Sequence, residues 1–232
     1  MNHELLLESL TSKLSIGGTV LSWFRSYLSG RSQRVAVDHK LSKSFHLDCG
    51  LPQGSCLGPL LFNIYCSSLI EIVEAHLPEV HSHADDSQLY LSFSPGNSLC
   101  QDAAVSAMEA CIADIKKWTQ QNSLMLNDDK TEFIVIRTRQ QLAKVNVTSA
   151  RVGDHFITKS RSVRNLGTWL NDTFDMSQHV TNLYTASFFQ LHNIRRITKY
   201  LTQEAAVTLV HSFVTCKTDY CNGLLYGLPA IS

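Results

Sequence analysis

The sequence predicts an α+β fold, a mainly antiparallel sheet packed on helices, on three observations. Leucines at helical spacing open the chain, short alternating runs bounded by turn residues fill its middle, and helical periodicity returns from residue 177 onward. With 232 residues, 44% apolar and 17% charged, the chain can bury a core for one large domain, or for one domain and a small one. Strands give way to helices near 172–177, which sets a first domain over 1–174 and a helical segment over 175–232.

Each element has a local signal. Leu6, Leu10 and Leu14 share a helical face, and Gly17-Gly18 reads as the stop of that helix. Val20, Trp23, Phe24, Tyr27 and Leu28 mark a second helix ending at Gly30. Alternation predicts a strand over 31–37 with a partner over 45–49. A glycine- and proline-rich turn enters a helix over 58–75, closed by Pro78. Extended runs over 80–83 and 87–93 flank Asp85-Asp86 and predict a hairpin with the carboxylates at its tip. Ser98-Leu99-Cys100-Gln101 reads as a capping box for a helix to 121. A turn over 127–130 feeds a strand over 133–136, and a less regular basic region leads to a strand over 166–170. Leu183, Phe188, Leu191, Ile194, Val207, Val210 and Phe213 anchor the closing helices.

Composition excludes several classes. No apolar run approaches the roughly 18 residues of a membrane span, and the start lacks the basic-then-apolar pattern of a secretory signal. Seven cysteines without a Cys-x-x-Cys pair argue against a zinc module and for free thiols in a reducing compartment, nuclear or cytoplasmic. The Asn146 and Asn171 glycosylation patterns then carry no meaning. The chain is neutral overall, but nine acidic residues against Lys116 and Lys117 leave 68–128 at −7. Eight basic residues against Glu132 and Asp154 leave 130–164 at +6. An acidic stretch beside a basic one suits a metal site next to a phosphate track.

The chemistry concentrates in Gly50-Leu51-Pro52-Gln53-Gly54-Ser55-Cys56-Leu57-Gly58-Pro59-Leu60-Leu61-Phe62 and in His83-Ala84-Asp85-Asp86. Glycines let backbone approach another molecule, prolines stiffen the turn, and amides at the following helix start can face a phosphate. Adjacent aspartates offer the hard oxygen ligands magnesium needs. Nucleotidyl transfer with two metals needs carboxylates converging from separate elements. A different set, His81 and His83 on one strand face with Asp85, suits a small zinc metallohydrolase.

In this order the two blocks resemble consecutive signatures of the reverse transcriptases of non-LTR (LINE-like) retrotransposons. The resemblance extends along nearly the whole chain. Asn2-His3-Glu4-Leu5-Leu6-Leu7 resembles the tail of the stretch that carries the family's first catalytic aspartate. Trp23-Phe24-Arg25-Ser26-Tyr27-Leu28, with Arg31, Gln33 and Val35, continues the pattern.

The resemblance implies a right-hand polymerase palm followed by part of a thumb. Gly50, Pro52, Gln53, Gly54 and Ser55 would contact template and incoming nucleotide, and Asp85 and Asp86 would bind magnesium, with manganese as a substitute. Trp118, Asn122, Leu126-Asn127 and Lys130-Thr131-Glu132 resemble the next block, in which Lys130 would assist the leaving pyrophosphate. Arg164-Asn165-Leu166-Gly167 is similar to the primer grip, with Leu166 and Gly167 at the primer end, and Asp219-Tyr220-Cys221-Asn222 to a helical motif beyond the palm.

Partners would be an RNA template, a DNA primer and deoxynucleotides, with no membrane; oligomeric state leaves no trace in the sequence. The pattern departs from the family in three ways. The aspartate before His3 would precede Met1, the fingers segments have no counterpart, and His83 stands where an aromatic is usual. The expectation is therefore a fragment not competent by itself, with an unpaired sheet edge beside the aspartyl hairpin. The alternative is a non-catalytic remnant that binds nucleic acid or protein.

Overall fold

The structure is a computed structural model describing residues 1–77 and 79–227. It forms two compact units: Met1–Lys130 with Arg151–Phe156, and Thr131–Ala150 with the described residues from Ile157 onward.

The first unit opens with α1 (His3–Leu14), whose first amides, at Glu4 and Leu5, donate to the Asn2 side chain. Gly17-Gly18 is not its stop. Ser15 takes a left-handed φ of 54° and its amide donates back to Thr11, while the glycines open α2 (Gly18–Leu28). Of the face expected on α2, Leu28 is buried, whereas Val20 and Trp23 are exposed and Trp23 stacks on Tyr27 at 5.5 Å.

The strand expected over 31–37 is broken in two. β1 (Ser32–Gln33) pairs with β4 (Phe45–His46), and β2 (Ala36–Val37) pairs with β3 (Lys40–Leu41). Between β2 and β3, Asp38 and His39 both take positive φ, 48° and 62°. Such turns are usually written with glycine, so this one left no signal.

The helix α3 (Gly58–Glu74) is the spine of the unit. Leu61 and Tyr65, one turn apart, pack with Leu6, Leu7 and Leu10 of α1 and Leu28 of α2. Farther along, Val73 packs with Leu77, Cys111 and Ile115, and Val80 and Leu89 lie against that cluster. The helix is capped at Ala75; Pro78, read as its stop, lies outside the described residues.

Next come β5 (Glu79–His83) and β6 (Asp86–Tyr90), an antiparallel hairpin whose register runs from Glu79–Tyr90 to His83–Asp86. It pairs with no third strand among the described residues. The helix α4 (Ser98–Gln121) is capped by Asn97, whose side chain accepts from the Cys100 amide. The capping box is thus misplaced by one residue. Ser98 is already helical, and the buried Gln101 donates to the Pro95 carbonyl instead.

After Lys130 come β7 (Phe133–Ile134), α5 (Arg139–Leu142), β8 (Ser149–Val152), β9 (His155–Ser160), β10 (Ser162–Asn165) and β11 (Thr168–Asn171), all in the second unit except Arg151–Phe156 of β8, β9 and the turn between them. The strands β7, β9 and β8 form a sheet in that order, with β7 parallel to β9. β10 and β11 form an antiparallel hairpin, so Leu166 and Gly167 are its turn and not the start of a strand. The region read as irregular contains β8 and β9. Instead of one sheet, the described strands make four pairs and one three-stranded sheet.

Helices close the unit: α6 (Ser177–Ile197), α7 (Gln203–Val210) and α8 (Cys216–Asp219), with a π turn at His211–Thr215 before α8. Of the expected anchors Ile194 is buried, but Phe188 and Phe213 are exposed. The motif 219–222 straddles the end of α8, where Tyr220 has already left helical geometry. No described helix is long and apolar enough to cross a membrane.

Candidate active site

The glycine turn is shaped by its own backbone. Gly50 and Gly54 take φ of 88° and 79°, a region that penalises any Cβ, and open space lies where a Cβ would stand. Gly58 answers a different need. A Cβ there would come 2.9 Å from Ser55 Oγ, inside a turn closed by the Ser55 amide on Pro52 and the Gly58 amide on Ser55. Ser55 Oγ is itself buried without a hydrogen-bond partner among the described residues. Gln53 and Gly54 are exposed, Pro52 half-buried, and among the described residues no side chain caps the start of α3.

The other end of the turn is tied down by residues 1–3. The Gly50 amide donates to the Met1 carbonyl at 2.8 Å, Asn2 bridges Cys49, and His3 Nε2 lies 2.7 Å from the Gly50 carbonyl. Behind them Tyr65, buried on α3, accepts from the Asn2 amide at 3.1 Å and donates to the Asn122 carbonyl at 2.6 Å. Burial pushes the Tyr65 phenol above its ordinary pKa, so it stays a donor. Nothing at the sequence level singles out Tyr65, because its partners are 57 and 63 residues away.

The carboxylates sit where the sequence put them. Asp85 lies in the two-residue turn after Ala84, whose φ is 56°, and Asp86 is the first residue of β6, opposite His83. Both are exposed, and neither side chain has a hydrogen-bond or ion-pair partner among the described residues. Two adjacent negative charges held without compensation suit a hard divalent cation, which takes one or two carboxylates and completes its shell with water and phosphate. Among the described residues no group of three or more His, Cys, Asp or Glu is placed to hold a metal ion.

Lys130 ends a 3₁₀ turn, Asp128–Lys130, and is exposed. That turn is anchored by a half-buried ion pair, Lys116 Nζ to Asp128 at 2.8 Å. Gly153 makes room for it: a Cβ there would collide with the Lys116 side chain. In the sequence Lys116 registers only as a charge in an acidic stretch. Leu166 and Gly167 lie in the second unit, at the β10–β11 turn, with φ of 44° and 88°.

The glycine turn and the hairpin share α3 as scaffold, one at its start and the other packed beside its far end. Two concavities of about 200 and 380 Å³ are lined by Ile72, Asp114, Lys117, Trp118 and Gln121, and by 91–94 with Cys100 and neighbouring alanines. Neither is bordered by Asp85, Asp86 or the glycine turn.

Residues 1–170, which contain the glycine turn, the aspartyl hairpin, Lys130 and the β10–β11 turn, match the family model described as reverse transcriptase (RNA-dependent DNA polymerase). The chain belongs to the reverse transcriptase family. It is 23% identical over 167 residues to the RNA-directed DNA polymerase from mobile element jockey of Drosophila melanogaster, covering 70% of this chain and 17% of that protein. It is 21% identical over 180 residues to the Pol polyprotein from the type-1 retrotransposable element R1 of Nasonia vitripennis, covering 77% of this chain and 51% of that protein. A third relative, a probable RNA-directed DNA polymerase from transposon X-element of Drosophila melanogaster, is 20% identical over 181 residues, 76% of this chain and 19% of its own length. The chain thus spans from under a fifth to about half of these relatives. The reverse-transcriptase resemblance seen in the two motif blocks stands, and the zinc metallohydrolase reading gives way to it.

Proposed function

We propose that this chain is the palm, with the start of the thumb, of a non-LTR retrotransposon reverse transcriptase, extending DNA on an RNA template. The palm would run over 1–174 and the thumb segment over 175–232. The observation that carries the reading is the uncompensated Asp85-Asp86 pair at the tip of a hairpin built on the helix that the glycine turn opens. That helix is about 25 Å long, and the hairpin reaches about 16 Å from Val80 to its tip, so the tip can lie along the helix toward the turn.

In the reaction the primer 3′-hydroxyl attacks the α-phosphorus of the incoming deoxynucleotide. A P–O bond forms, the bond to pyrophosphate breaks, and the hydroxyl proton leaves to water or base. Asp85 and Asp86 would hold magnesium, which when bound neutralises charge on the attacking and leaving oxygens. The backbone at Gly50 and Gly54 would lie against template and nucleotide, since no Cβ stands at either position and the space beside them is open. Lys130 would meet the leaving pyrophosphate, and the Leu166-Gly167 turn the primer end.

Replacing magnesium by Fe²⁺ and generating hydroxyl radicals tests the arrangement. Backbone cleavage is expected near the hairpin tip and near 50–58, and Asp85→Asn with Asp86→Asn should abolish both. Cleavage at the tip without any in the glycine turn would sink the shared-site reading. A non-catalytic remnant would show neither.

A further inference from the structure

We propose that Tyr220 is a positioning residue that latches the Leu166-Gly167 turn and so sets the primer-end site; this rests on the primer-grip reading above. The Tyr220 hydroxyl donates to the Leu166 carbonyl at 2.6 Å across 54 residues of sequence. Its ring lies 3.5 Å from the point where a Cβ on Gly167 would stand, so the ring packs directly on the glycine. The turn it holds is built from two left-handed residues, Leu166 at 44° and Gly167 at 88°. A leucine in that region is strained, and the strain persists only if surrounding contacts enforce it.

The base of the same hairpin is fixed separately. Asn171, the last residue of β11, accepts from the Asp175 and Met176 amides, and its own side-chain amide donates to Thr173 and Asp175 at the entrance to α6. The Asp172 carbonyl also accepts from the Arg137 amide at 2.9 Å. The base is therefore rigid without Tyr220, and the tip is what Tyr220 adds. Tyr220 can reach it because α8 ends at Asp219 and the backbone turns extended at the tyrosine, φ −62° and ψ 121°. A continued helix would carry the ring elsewhere. The 219–222 motif thereby gains a physical role, the placing of one phenol on one turn.

The test uses the whole chain and two substitutions. Tyr220→Phe keeps the ring and removes the hydroxyl; Gly167→Val fills the space under the ring and disturbs the turn directly. Hydrogen exchange at the Gly167 and Thr168 amides should quicken about five-fold in Tyr220→Phe, the size of one hydrogen bond, with exchange in β10 and the thermal midpoint little changed. Affinity for an RNA–DNA duplex with a recessed DNA 3′ end should fall by a similar factor. Affinity for the same duplex with that end sealed in a loop should not move, which a general loss of structure would not reproduce. Unchanged exchange in Tyr220→Phe overturns the latch. Faster exchange with unchanged recessed-end affinity, while Gly167→Val does weaken it, overturns its positioning role and leaves the primer grip standing. If Gly167→Val also leaves recessed-end affinity intact, the primer-grip reading itself fails and takes the inference with it.

Discussion

Asp175 gathers more hydrogen bonds than any acid in the candidate site. Its carboxylate accepts first from Ser177, side chain and amide, then from Thr173 and Asn171, and these donors hold it well below the usual carboxylate range. Donors aimed at the charged form depress a folded-state pKa. The unfolded carboxyl titrates near about 4. The stabilisation is therefore complete above that pH and fades as pH falls below it toward the folded value. Thermal unfolding followed by circular dichroism should show the midpoint dropping more steeply between about pH 5 and 2 in the native chain than in Asp175→Asn. Parallel curves would refute the assignment. At this scale the candidate chemistry was legible, because Asp85-Asp86 and the glycine turn are local patterns. Tyr65 was not, and neither was the contact that Tyr220 of the 219–222 motif makes, since each reaches a residue more than 50 positions away along the chain.

Among elements, α3 carries the argument. Its start packs on α1 and α2 through Leu61 and Tyr65, and its end on α4 and the aspartyl hairpin through Val73. Leu61 is 1% exposed, so Leu61→Ala should cost about 2–5 kcal/mol in a denaturant titration. A loss under about 1 kcal/mol would mean that this cluster is not the core it looks like. The long helices announced themselves through spacing. The β8–β9 hairpin had a readable signal too, the Gly153-Asp154 turn with Gly153 at φ 61°, but basic residues around it hid the alternation. The Asp38-His39 turn puts two non-glycine residues in the left-handed region and the Leu166-Gly167 turn puts one there, Leu166, which sequence patterns underweight. The β5–β6 hairpin was legible as well, because its two extended runs flank the aspartates in sequence.

For the whole molecule the informative quantity is the layout of charge. Zero net charge conceals an acidic 68–128 and a basic 130–164, the pattern expected where a cation site adjoins a phosphate track. Binding of an RNA–DNA hybrid, measured by fluorescence anisotropy at several salt concentrations, should weaken linearly in log–log form, and Lys130→Ala should lower the slope by about 1. Absent or salt-independent binding would remove nucleic acid from the account.

Sequence alone determined the family, the α+β class and the identity of the metal-binding candidates, because motif order and side-chain period are written residue by residue. Only tertiary structure decided that one helix carries both the glycine turn and the aspartyl hairpin, that the sheet is divided into small pieces, and that a distant tyrosine holds the Leu166-Gly167 turn. Those are contacts between segments far apart in the chain, and no local pattern encodes which distant side chain fills a given space.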